Sequence, residues 1–137
     1  MILDHLGDLN WLAIVVATLA WFAFSAIWYS VPPLSNAWQQ AAKVSGMEGP
    51  PLVTLLVPTF IGYFVTTIVI ALIARAVGAT EVMDGLVLGV VLGVGFGVVG
   101  ALVVQIYERK GESYALINGL NAIIAFAIVG MIVSVWD

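Results

Sequence analysis

The side chains that could do chemistry are few, and they are of weakly reactive kinds. The chain has one histidine and no cysteine, which removes thiolate nucleophiles, disulfides and Cys-based metal sites. His5 lies between Asp4 and Asp8. Positions 4 and 8, or 5 and 8, are neighbours on a helical turn, yet three ligands near a chain end with no second cluster make a poor metal site. No metal and no cofactor is expected. Ser25 and Ser30 have no base that the sequence supplies, and no carboxylate pair lies within an apolar stretch, so the chain is expected not to be an enzyme. What remains is a set of neutral polar groups inside long apolar runs: Ser25, Tyr29, Tyr63, Gln105, Asn118 and Asn121.

Asn118 and Asn121 are spaced i, i+3 and share one face of a helix. An amide left unpaired in hydrocarbon costs several kcal/mol, so both must face protein or water. If the chain crosses a bilayer four times, all six groups fall toward the end that carries loops 1–2 and 3–4. Two uses fit them. One is a polar pocket closed at its other end; the other is interhelical hydrogen bonding that fixes register, worth roughly 0.6 kcal/mol per contact. The spans lack the run of Asp, Glu or His that proton or cation traffic would use.

The elements that must hold these groups follow from composition. The 137 residues are 63% hydrophobic and 9% charged, with a mean hydropathy of +1.15. A soluble domain carries about 25% charged residues, so this chain cannot cover a water-facing surface and reads as a single integral membrane domain over 1–137. Its net charge of −4 with no basic patch excludes nucleic acid as a partner. The expected fold is all-α: a four-transmembrane-helix bundle with helices at about 10–30, 52–77, 80–108 and 113–136, and a short amphipathic interfacial helix at about 34–45 between helices 1 and 2.

Local signals set those bounds. Asp8 or Asn10 can cap the first helix, and Pro32-Pro33 ends it. The N-terminal flank has acids and no basic residue, unlike a signal peptide, so this helix is expected to be retained. In 34–45, Leu34, Ala37, Trp38, Ala41 and Ala42 recur at helical spacing opposite Ser35, Asn36, Gln39, Gln40 and Lys43, the pattern of a surface-lying helix, with Gly46 as its expected cap. Pro58 removes a backbone bond within helix 2, and Gly78 ends that helix. Thr80 is the expected cap of helix 3, with Glu81 and Asp84 favourable at its N-terminus. The intervening turn is short, so helices 2 and 3 should form an antiparallel hairpin. Trp11, Trp28, Trp38, Trp136 and the snorkelling Arg75 are the expected interface anchors.

Residues 85–107 carry no formal charge and place glycines at 85, 89, 93 and 97, with two more at 95 and 100. Glycine in a water-exposed helix costs about 1 kcal/mol relative to alanine; in a bilayer, missing side chains let helix backbones approach. Helix 3 is therefore expected to be the central helix, with Gly85, Gly89, Gly93, Gly97 and Gly100 as packing or oligomer-forming positions. Four spans put both termini on one side. Lys43, Arg109 and Lys110 lie on the other, against Arg75 alone with the termini, where Asp4, Asp8, Glu81, Asp84 and Asp137 also fall. The positive-inside rule then places both termini outside.

The pieces Asn10-Trp11-Leu12-Ala13, Ile27-Trp28-Tyr29-Ser30, Pro33 and Ala37-Trp38, with Gly95-Phe96 in a Gly-rich third helix, resemble a family of small bacterial and archaeal four-helix membrane proteins catalogued as domain of unknown function 1761. The Ile117-Asn118-Gly119-Leu120-Asn121 region matches it less clearly. The resemblance implies the four-helix architecture and a prokaryotic cytoplasmic membrane, and carries no activity. The functional expectation is a self-associating structural or accessory membrane protein with a polar pocket on the side of loops 1–2 and 3–4. Its partners would be the lipid bilayer and either further copies of itself or the helices of a larger membrane complex. The alternative is an oligomeric channel or transporter for a small neutral solute or ion.

Overall fold

A computed structural model describes residues 1–136, and Asp137 lies outside the described residues. A 3-10 turn, Ile2–Asp8, leads into α1 (Trp11–Ser30), α2 (Leu34–Ala42), α3 (Leu52–Val77), α4 (Val82–Tyr107) and α5 (Tyr114–Val135). Within α4 the segment Gly93–Val98 is wound as a π-helix. All but the short α2 are long and apolar enough to cross a membrane.

The ends of these helices follow from particular residues. Asn10 caps α1, its side-chain oxygen accepting from the Ala13 N–H at 3.1 Å. Gly78 ends α3 in the left-handed region, φ 74°, where a side chain would be strained. Two expected caps are replaced. Lys43, not Gly46, takes the left-handed position that closes α2, at φ 62°. At α4 the cap is Glu81, and Thr80 is a donor: the Asp84 carboxylate accepts from the N–H groups of both Thr80 and Glu81 at 3.2 Å. A carboxylate can serve two orphan donors there while facing the positive end of the helix.

The centre of the bundle is α5, not α4. Of α5's apolar window 44% is buried, against 11% for α4. Helix α5 packs on one side against α1 and α3, and on the other against α4. The core runs through Ile14, Ala17 and Trp21 of α1, Ile70 and Ala74 of α3, and Ala125, Val129 and Val133 of α5. Helix α4 does not touch α1, and it meets α3 only weakly despite the short turn joining them. The expected hairpin is thus antiparallel in direction but splayed, and α4 is an outer helix attached along α5.

That attachment explains the glycines. A Cβ on Gly85 would overlap the Gly130 carbonyl and come 2.8 Å from the Met131 Cα. A Cβ on Gly89 would overlap the Phe126 carbonyl, and one on Gly93 would lie 2.7 Å from the Ile123 Cα. One on Gly97 would collide with the Ala122 methyl. The stripe therefore mates with α5 of the same chain. Gly100, expected as a packing or oligomer-forming position off the main stripe, is exposed and meets nothing within the chain, and the same holds for Gly95.

The π segment fits the geometry of the stripe. In an α-helix, four residues turn about 400°, so glycines at every fourth position drift roughly 40° per step. A π turn holds more residues per revolution, so each one advances less. Placing it at Gly93–Val98 brings Gly97 back toward α5 after two steps of drift.

At one end, Asn10 donates to the Trp136 carbonyl at 3.3 Å, tying the start of α1 to the end of α5. At the other, the Gly111 N–H donates to Ala41 O at 2.6 Å and the Lys110 ammonium to Ala42 O at 3.0 Å. The loop 108–113 thus caps α2, supplying a cation where the helix dipole favours one. Ser35, assigned to the polar face of α2, is buried, while Asn36, Gln39 and Gln40 are exposed.

If α4 is held by backbone-to-backbone approach, Gly89→Leu should destabilise the fold by about 3 kcal/mol or more, as overpacking against an immovable backbone does. Gly100→Leu should leave stability within about 0.5 kcal/mol, as surface substitutions do. Unfolding in mixed micelles compares the two variants directly, and equal losses would contradict the assignment.

Candidate functional site: the polar seam between α1 and α5

The sequence-predicted polar residues gather on the facing sides of α1 and α5. Ser25 and Tyr29 are one turn apart on α1, and Asn118 and Asn121 one turn apart on α5. Because the helices run antiparallel, the pairs meet as two rungs. Asn121 Nδ2 donates to the Ser25 hydroxyl at 3.3 Å, with both residues buried. The Tyr29 hydroxyl donates to the Asn118 side-chain oxygen. The Tyr29 ring also meets Trp38 edge-on, centroids 5.6 Å apart, which links α2 to the same seam.

The other two predicted members have different partners. Gln105 of α4 accepts from the Ala115 N–H at 2.8 Å, filling one of the orphan donors in the first turn of α5. Tyr63 of α3 stacks on Trp21, centroids 4.0 Å apart and planes 9° from parallel, and Phe126 meets the same indole edge-on at 5.4 Å. Tyr63 is thus part of an aromatic cluster at the α1–α3–α5 junction. Trp21, its organiser, was absent from the sequence-level site; a tryptophan in mid-span, away from both expected aromatic belts, was the available signal.

Two donors near this end are enclosed without a partner among the described residues: Asn118 Nδ2 and Trp28 Nε1. Trp28 was expected to anchor at the interface, but its ring nitrogen is inside protein and its ring tilts against Phe24 at 5.6 Å. Trp38 is half-buried under the Tyr29 contact. Trp11 and Trp136 are exposed, at the start of α1 and just past the end of α5. Arg75 is half-buried there and lines a cavity of about 10 Å³ with Asn10, Ile14, Ala71 and Trp136. A larger, open cavity of about 370 Å³ lies along α4 beside the turn that follows α3, lined by Val77, Ala79, Met83, Asp84, Val87 and Val91. The polar seam lines neither of them.

Chemically, the seam offers hydroxyls and amides paired with one another. Among the described residues no three His, Cys, Asp or Glu side chains converge as metal ligands. Asp4 instead holds the N-terminal ammonium at 2.9 Å.

Helices of this length and hydropathy, joined by short turns and a capped surface helix, define a four-span membrane protein. The chain belongs to the family described as protein of unknown function (DUF1761), which it matches over residues 12–134. No curated protein and no solved structure matches it.

If the two rungs set the register of α1 on α5, Asn121→Leu and Ser25→Ala should each destabilise modestly. Their coupling in a double-mutant cycle should be about 0.6 kcal/mol, the average for membrane hydrogen bonds. A coupling of zero would remove the rung.

Proposed function

We propose that the protein is a non-catalytic, self-associating accessory component of the membrane, with its outer helix α4 as the contact surface. The observation that carries this reading is the position of α4. One of its faces is joined to α5, and the opposite face, with Gly95, Phe96, Val99, Gly100 and Val103, is open. Two glycines on an unpartnered face give a second smooth surface, which suits close approach by another helix. That helix would belong to a further copy of the chain or to a larger membrane complex.

The polar seam supports the same reading over transport. Four of its six groups bond to one another across α1 and α5 and a fifth caps α5, an arrangement that suits register-setting better than a solute path. Its enclosed donors, Asn118 Nδ2 and Trp28 Nε1, are the feature that a small polar pocket would use. Lys43, Arg109 and Lys110 lie by loops 1–2 and 3–4. The positive-inside rule makes that side cytoplasmic in a prokaryotic cytoplasmic membrane, with both termini outside.

Molecular mass in nanodiscs tests the reading. The wild type should contain more than one copy per assembly, and Gly100→Leu should lower the mass to that of one chain while leaving thermal stability unchanged. A wild-type mass of a single chain, with no other membrane protein co-purifying, would reject it.

A further inference from the structure

Where α1 begins and α5 ends, α1, α3 and α5 surround the small cavity of about 10 Å³. Ala13, Ala71 and Val133 are among its walls, and Asn10, Arg75 and Trp136 bring polar groups to it. Among the described residues no hydrogen bond involves the Arg75 side chain, and the one ion pair is that of the Met1 ammonium with Asp4. A guanidinium has five N–H donors and cannot shed its charge, so a half-buried one needs acceptors.

Acceptors line the same cavity. Asn10 uses one Nδ2 hydrogen on the Trp136 carbonyl and one Oδ1 lone pair on the Ala13 N–H. An amide oxygen and a carbonyl oxygen each have two lone pairs, so both retain acceptor capacity. The Val133 carbonyl is one of the last four of α5, which an α-helix leaves without a partner of its own. A cation is also favoured at that helix end by the dipole.

Size and chemistry together select the occupant. One water molecule needs about 10–15 Å³ and two to four polar partners, and this cavity meets both conditions. A phosphate group, with four oxygens around its centre, is too large for a space that holds one water, so a lipid headgroup is excluded. A lining with carbonyl oxygens as well as a cation, two residues from Asp8, suits a neutral molecule that both donates and accepts better than an anion.

We infer that this cavity is a binding site for one long-lived water molecule, which accepts from the Arg75 guanidinium and donates to the carbonyls at the end of α5. The water directs Arg75 into the bundle instead of outward to the headgroups. It also gives α3 a polar tie to its neighbours, since among the described residues α3 makes no hydrogen bond to another helix. The site is independent of the α4 face proposed for self-association.

Water-to-methyl cross-relaxation tests this in methyl-labelled full-length protein in nanodiscs. Methyl protons do not exchange with water, and Ala13 and Ala71 are only 1% and 5% exposed, so a water signal at both reports an internal molecule. Cross-peaks from water should appear at Ala13 and Ala71. They should be absent at Ala17 and Ala125, which are fully buried in the same core but do not line the cavity. Ala71→Val, which fills the space, should abolish the Ala13 cross-peak, and Arg75→Met should weaken it severalfold. Unchanged Ala17 and Ala125 methyl shifts report that the variants still fold. No water cross-peak at Ala13 and Ala71 in the wild type, or equal ones at all four alanines, would overturn the proposal. So would cross-peaks from lipid headgroup protons in place of water, or an undiminished Ala13 cross-peak in folded Arg75→Met.

Discussion

The contact on which the rest depends is the approach of two helix backbones where side chains are missing. Gly85, Gly89 and Gly93 of α4 lie directly against the backbone of α5, and Gly130 returns the approach toward Gly85. In lipid there is no hydrophobic gain from bringing apolar helices together, because the acyl chains are equally apolar; dispersion between well-fitted surfaces has to hold them. Dispersion falls off over fractions of an ångström. A single added carbon at these positions would therefore separate the helices along their length.

From that contact the architecture follows. Helix α5 becomes the axis, with α1 and α3 on one side and α4 on the other. The α1–α5 side is keyed by hydrogen bonds and by the Trp21–Tyr63–Phe126 cluster, and the α4–α5 side by shape. Polar keys and bare backbone do different work. The rungs pair a hydroxyl with an amide at two fixed levels, whereas the glycine face sets how near the helices can come. A helix attached along one side only leaves the rest of its circumference to lipid or to another protein. The open face with Gly95 and Gly100 is a consequence of that asymmetry.

Much of this was legible in the sequence. The four spans, their bounds to within a residue or two, the α2 helix, Asn10 as a cap, and the need of both asparagines to face protein or water all come from hydropathy, helical spacing and the cost of unpaired amides. The place of each span in the bundle was not legible. Glycine content made the third span look central, but glycine reports how close one neighbour comes and not how many neighbours there are. Centrality was written instead in the fourth span, where Gly119, Ala125, Ala127, Val129 and Gly130 are buried around the helix. The π turn at Gly93–Val98, which shifts the phase of everything after it, was not legible either, because spacing alone does not reveal one. Tyr63 was placed with the polar groups because its hydroxyl was weighed and its ring was not.

The most direct measurement is of proton contacts across the glycine face in isotope-labelled protein in nanodiscs. Nuclear Overhauser cross-peaks should appear between the α protons of Gly85 and Gly130 in uniformly labelled protein. They should be absent from a filtered experiment on mixed labelled and unlabelled copies that reports only contacts between chains. Cross-peaks in the mixed sample, or none in either, would mean that the glycine stripe does not join α4 to α5 within one chain.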